Sequence, residues 1–401
     1  MLDVDAIVRP WFDRLAEDVP GLELFDAHTH VGANDPDEFR QTPEQLLEGL
    51  DSAGSRALVF PMHEPGGYPD ANDMVIDAAA ASGGRLQALC RVNPRESGSV
   101  AEASRCLEAG ARGIKLHPRA EQFGLDVPAV RDLVALAHER RAPVLIHAGR
   151  GIPALGQHTV QLSGEFPGAR LILAHCAISD LAWLWRVLPE HPNLFVDTAW
   201  WAPSDILALL TLAPPANVLW ASDSPYGRPV VAAATLLRCA VQAGLSAEQM
   251  RGIMGGQLAR VMAGEAPADL GPPPGPPARA LDPLLERVVT HLTTVMGRAF
   301  ARADFDEPLA ISRLACAVGE DAPQGPLCAA VLELLDVFEE YRDYREEGRP
   351  IPPAARLMVF ALTVARTPDA PLPGTAGASA PTRDHAEAGE HAGPGEDSIR
   401  A

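Results

Sequence analysis

Between residues 21 and 262, eight short apolar or β-branched runs recur. Each is followed by a stretch in which leucine and alanine return every three or four residues. The runs are LELFDAH (22–28), RALVFP (56–61), RLQALCRV (85–92), RGIKLH (112–117), PVLIHA (143–148), RLILAHC (170–176), NLFVDT (193–198) and NVLWASD (217–223). Strand-sized runs alternating with helical spacing are the pattern of βα units around a parallel sheet. Eight such units over this length predict an α/β fold, a (β/α)8 TIM barrel of about 250 residues. A doubly wound open sheet would share the alternation, but it would want a glycine-rich phosphate loop after an early strand, and no such loop is present. Helices are expected at 43–53, 71–82, 100–109, 127–141, 178–188 and 231–243.

A chain of 401 residues is too long for one barrel of this size. After Met262 the composition changes to APADLGPPPGPPARA, which cannot continue a helix and reads as a linker. The expected organisation is therefore a barrel over 1–264, a Pro/Gly-rich linker over 265–280, a small all-helical C-terminal domain over 281–366 and a disordered tail over 367–401. For the helical domain, oligomerisation and covering the barrel mouth are both open from sequence, so a homo-oligomer stays among the expectations.

The net charge of −20 argues against nucleic acid or acidic membranes as partners, since both need a positive footprint. A small-molecule substrate is the expected partner. No run reaches the roughly 18 apolar residues a membrane span needs, and the opening MLDVDAIVRPWFDR carries acids where a signal peptide carries bases. Six cysteines without a CxxC suit a reducing compartment, so a cytoplasmic location is expected.

Strand one ends FDAHTHVG. Side chains alternate along a strand, so His28 and His30 point to one side, with Asp26 in line below, and two imidazoles on one face can share a metal ion. His147 closes VLIHAG, His175 closes LILAHC and Asp223 closes LWASDSP. Active sites of such barrels lie at the C-terminal ends of the strands, which is where these residues fall. With histidine at only 12 of 401 positions, its presence at three separate strand ends is not what scatter gives. A core imidazole satisfied by backbone is the blander alternative for His147 and His175.

DAHTH, GIKLHP, IHAG, LAHC and SDSP, in that order, resemble the amidohydrolase superfamily, most closely its amidohydrolase 2 branch. The resemblance implies a metal-dependent hydrolase. His28, His30, His147 and Asp223 would be metal ligands, with Asp223 also taking a proton from the attacking water and His175 orienting or polarising the substrate. A divalent ion, expected to be Zn²⁺, would activate water to attack an amide, ester or lactone carbonyl. The same branch contains metal-dependent non-oxidative decarboxylases, lyases acting on carboxylates, and that is the alternative. A non-catalytic scaffold is disfavoured because the full His/Asp set is present.

Lys115 is the only lysine among 33 basic residues. Unlike arginine, a desolvated lysine can become a neutral amine and take up carbon dioxide. Some members of the superfamily bridge two metals with a carbamylated lysine at this strand end, and His175 would then serve the second metal. A cation lining the site and a lysine without special duty are the other readings. Lys115 and His117 share parity, so both are candidate second-metal or substrate ligands. Arg119, Arg150 and Trp200 are the candidate substrate-binding residues, within a rim that also holds His63, Glu64, Arg91, Asn93, Trp201, Tyr226 and Arg228.

Overall fold

The computed structural model describes residues 2–276, 280–319 and 321–374. Eight strands, β1 (Leu24–Val31), β2 (Ser55–Pro61), β3 (Leu86–Arg91), β4 (Gly113–Leu116), β5 (Pro143–Ile146), β6 (Arg170–Leu173), β7 (Leu194–Asp197) and β8 (Val218–Leu219), pair in sequence order and in parallel. Helices alternate with them, so the expected (β/α)8 barrel is the observed fold, followed by four C-terminal helices.

Closure is made by backbone beyond the last strand. Ala27 N–H donates to Trp220 O at 3.0 Å, Asp223 N–H to His28 O at 3.0 Å and His30 N–H to Ser224 O at 2.7 Å. The 217–223 run is thus a strand for only two residues, and its second half seals the barrel against β1. His147 and His175 likewise fall just past β5 and β6 rather than inside them. The helix expected over 178–188 is broken: only Leu181–Leu184 is α-helical, and Pro189 sits in a 3₁₀ turn at Leu188–Glu190.

Phe25, Ala27, Leu58, Leu145, Ile172 and Phe195 fill the barrel interior. Phe25 and Ala27 therefore point inward, yet so do His28 and His30, whose rings pack on Phe60. A register shift between Asp26 and Thr29 reconciles the two, because one irregular step moves the following side chains to the other face. Asp26 is consequently not in line below the histidines. Its Oδ1 instead accepts from the N–H groups of His28 at 3.0 Å and Ser222 at 2.9 Å, which fastens the shifted step to the closing segment.

The C-terminal helices are Pro283–Phe300, Asp306–Ala315, Gly325–Tyr341 and Ala355–Arg366. Asp282 caps the first, accepting from Leu284 N–H at 2.8 Å, with Pro283 at the position where a missing N–H costs nothing. Ala355–Arg366 is buried along almost its whole length, packed against Pro283–Phe300 and Gly325–Tyr341 on one side and the barrel helices Pro203–Leu212 and Pro229–Ala243 on the other. The helices thus cover the barrel mouth, one of the two roles left open by sequence. Residues 367–374, where a disordered tail was expected to begin, are held by the buried Arg238, whose guanidinium donates to Thr367 O at 2.8 Å and Pro371 O at 2.9 Å. The rest of that expected tail, 375–401, lies outside the described residues. No helix among the described residues is long and apolar enough to cross a membrane.

Candidate metal centre and substrate cavity

Three side chains converge where β1 meets the closing segment. His28 Nε2 lies 3.1 Å from His30 Nε2 and 3.4 Å from Asp223 Oδ1, and His30 Nε2 lies 3.2 Å from the same oxygen. Two imidazoles and a carboxylate gathered this tightly form a donor set suited to a divalent metal. His28 Nδ1–H donates to Asp197 Oδ2 at 2.8 Å, which leaves the Nε2 lone pair facing the other two donors. Asp197 Oδ1 accepts from the backbone N–H groups of His175 at 2.9 Å and Ala199 at 3.0 Å. One carboxylate therefore orients a β1 histidine and braces the loops after β6 and β7.

A second chain of imidazoles runs beside the trio. His175 Nδ1–H donates to Ala199 O at 2.7 Å, so its Nε2 accepts from His147 Nδ1–H at 2.9 Å. His147 Nε2 is left as a buried lone pair with no hydrogen-bond partner among the described residues. Gly149 makes this possible, since a Cβ there would stand 2.6 Å from that nitrogen. His117 stacks on His147 with ring centroids 3.9 Å apart. Of the four ligands the sequence pointed to, His28, His30 and Asp223 converge, whereas His147 is joined to His175.

Lys115 is fully buried, its Nζ 3.4 Å from His28 Nε2 and 4.5 Å above the Phe60 ring. Burial pulls its ammonium down to about 7, with Asp197 opposing the fall. Burial likewise holds the imidazoles of His28, His30, His117 and His147 well below their usual range and lowers His175. It pushes the Asp223 carboxyl well up, raises Asp197, and takes Asp26 to about 7. Such a cluster is costly unless ions or protons balance it. The Nε2 atoms of His28 and His30 and the Asp223 carboxylate, within 3.4 Å of one another, fit a bound cation.

Asp223 and His175 adopt left-handed backbone, with φ of +61° and +59°, as do Cys176 and Ala177. For residues other than glycine this costs about 1–3 kcal/mol each and clusters at functional sites. Here it aims both side chains into the mouth.

A cavity of about 260 Å³ opens beside the trio. Asp223, His147 and His175 form its floor; Arg119, Arg150, Trp200, Trp201, Tyr226 and Arg228 stand around it, all of them rim residues expected from sequence. Other expected rim residues are not on it. Arg91 is buried against Glu121 at 2.6 Å, His63 approaches the same carboxylate at 3.9 Å, Glu64 accepts from Asn34 at 2.6 Å and Asn93 donates to Glu96 at 3.0 Å. Sequence reasoning missed Asp197, although NLFVDT closes on a polar residue just as the neighbouring runs close on histidine. It also missed Phe300, Arg356 and Val359, which reach the cavity from the C-terminal helices, and Ile351 from the connection before the last of them; none carries a local signal.

The barrel resembles several solved structures. 5-Carboxyvanillate decarboxylase from Sphingomonas paucimobilis is 17% identical over 61% of this chain and 99% of its own, with a TM-score of 0.48. Dihydroxybenzoic acid decarboxylase from Polaromonas sp. JS666, solved with manganese and the inhibitor 2-nitroresorcinol, is 13% identical over 60% and 97%, with a TM-score of 0.47. 4-Oxalomesaconate hydratase from Rhodopseudomonas palustris is 16% identical over 60% and 96%, with a TM-score of 0.45. No curated protein matches the sequence. The family model described as Amidohydrolase (Amidohydro_2) matches residues 25–256, which take in all eight strands but for Leu24, the converging trio and the histidine chain. The chain belongs to the amidohydrolase family.

Proposed function

We propose that the protein is a metal-dependent non-oxidative decarboxylase, a lyase acting on a small planar carboxylate. The observation that carries this reading is the cavity wall. Beside Asp223 and the histidines it is lined by the aromatic side chains of Trp200, Tyr226 and Phe300, by Ile206, Ala221, Val231 and Leu236, and by four arginines. Flat aromatic walls receive a planar ring, and guanidinium groups receive a carboxylate. An apolar surround solvates an ionised carboxylate poorly, which favours its departure as neutral CO₂.

His28, His30 and Asp223 would hold the ion, Zn²⁺ or Mn²⁺, which when bound supplies a positive centre for substrate oxygens. The chain's own groups then do the following. Arginines at the cavity edge bind and orient the carboxylate. A proton taken from water and handled by Asp223 or His175 reaches the ring carbon, so that the C–C bond breaks as the C–H bond forms and the bond pair stays on the ring. His175, fixed by Ala199 O and His147, faces the substrate from the other side of the floor. Lys115 is a cation lining the site, and one ion per chain is expected.

The test is a panel of hydroxybenzoates and other aromatic carboxylates, together with lactones and amides, offered to zinc- and manganese-loaded protein. CO₂ release, with one deuteron at the vacated carbon in D₂O and loss of turnover in His28→Ala, supports the reading. Lactone or amide cleavage without CO₂ overturns it in favour of hydrolysis. Two ions per chain would assign Lys115 a bridging role instead.

A further inference from the structure

Four arginines touch the cavity, and their surroundings differ. Arg228 is paired with Asp5 at 3.1 Å, so its charge is already answered. Arg119 and Arg150 are exposed on the rim, where water screens them. Arg356, in the first turn of the helix Ala355–Arg366, is drawn under the cover formed by the C-terminal helices and donates to Tyr226 O. It makes no ion pair among the described residues; the charges of Arg228 and Arg349 oppose its own, and Asp223 favours it. Half-buried, lining the cavity and without a direct ion pair, this guanidinium is open to an anionic ligand. Phe300 and Ile351 stand beside it on the same wall, and Phe300 packs on Trp201 with ring centroids 5.0 Å apart.

We propose that Arg356 is the anchor for the anionic group of the substrate, so that the C-terminal helices, which lie outside the residues matched by the family, complete the binding site and set its preference for carboxylates. The inference deepens the function proposed above and rests on it for the substrate class. The cavity floor, with Asp223 and the histidines, comes from the barrel, while the charge that selects the ligand comes from the appended helices. A second cavity of about 970 Å³ shares Trp201, Phe300, Ile351, Arg356 and Val359 with the first, so Arg356 stands on the wall common to both.

Calorimetric titration of the full-length, manganese-loaded protein with benzoate and with neutral benzamide tests the proposal. Arg356→Gln is expected to weaken benzoate at least about 30-fold while leaving benzamide within about threefold, since removing one partner of a desolvated charge pair has consequences of that order. Equal benzoate affinity in wild type and variant overturns it, as does equal weakening of both probes, which would assign Arg356 to holding the 225–228 loop. If the glutamine variant fails to fold, Arg356→Met, which keeps the side chain's length without its charge, carries the test with the same comparison: selective weakening of benzoate supports the anchor, and unchanged benzoate overturns it. Because the readout is binding, Arg356-dependent benzoate affinity without CO₂ release from any carboxylate would sink the decarboxylase reading and leave the anchor standing.

Discussion

At the scale of single residues, the centre depends on which nitrogen of each imidazole carries its proton. Asp197 decides this for His28 by accepting from Nδ1 at 2.8 Å. In Asp197→Asn the amide oxygen can still accept from the N–H groups of His175 and Ala199, but its NH₂ would face Nδ1 and force the proton onto Nε2. Metal affinity is therefore expected to fall by about 10–100-fold with the fold intact, because partners behind a ligand carry effects of that size. Equilibrium dialysis against zinc or manganese measures it, and an unchanged affinity would show that Asp197 only braces the loops. The HxH pair was legible in the sequence because strand parity is local. Asp26 was misplaced, because a register shift depends on pairing with β2 and the closing segment, which local alternation does not encode.

At the scale of elements, the helices around β3 are joined by one polar network. Glu102, in the first turn of Ser99–Ala109, accepts from Arg105 Nε at 2.8 Å and from Asn72 Nδ2 at 2.9 Å. Asn72, buried on the helix Pro69–Ala81, also accepts from the N–H of Arg91 on β3 at 2.8 Å. Arg105 and then Asn72 hold the Glu102 carboxyl down to about 2 against some burial. A carboxyl lowered in the folded state contributes stability above its unfolded value and loses that contribution as pH falls through the folded one. Glu102→Gln is thus expected to melt below wild type by a constant margin above pH about 4.5, with the margin closing between about 4.5 and 2. Thermal unfolding across that range checks the sign, and a margin that grew toward acid would contradict it. The strands and most helices were readable from period and composition. The 178–188 helix was not, because its apolar spacing is helical while Pro189 and the tight turn at His175–Ala177 break the path.

At the scale of the whole molecule, the chain is tied at Arg238, fully buried on the helix Pro229–Ala243. Its guanidinium lies 5.3 Å from the Trp11 ring of the first helix, Val4–Ala16, and donates to Thr367 Oγ1 at 2.9 Å as well as to the carbonyls of Thr367, Ala370 and Pro371. Trp11 in turn meets Phe360 of the last helix edge to face, with centroids 5.3 Å apart. Arg238→Ala leaves several buried acceptors unmet and is expected to cost roughly 3–5 kcal/mol in urea unfolding. Hydrogen exchange should accelerate first at 367–374 and only later in the barrel strands; uniform acceleration would mean that the tie is not local.

The sequence by itself determined the barrel and the residues that close its strands, because period, parity and strand-end chemistry are properties of short stretches. It also marked where the family-like part stops, since the Pro/Gly run after Met262 breaks regular structure locally. Only the tertiary structure decided how the donors around His28 and His30 are arranged: the trio needs the closing segment to swing Asp223 back onto β1, and the imidazole proton pattern needs Asp197 and the Ala199 carbonyl. The same holds for the cavity. Arg356 and Phe300 reach it through packing between helices far apart in the chain, and such contacts leave no periodicity to read.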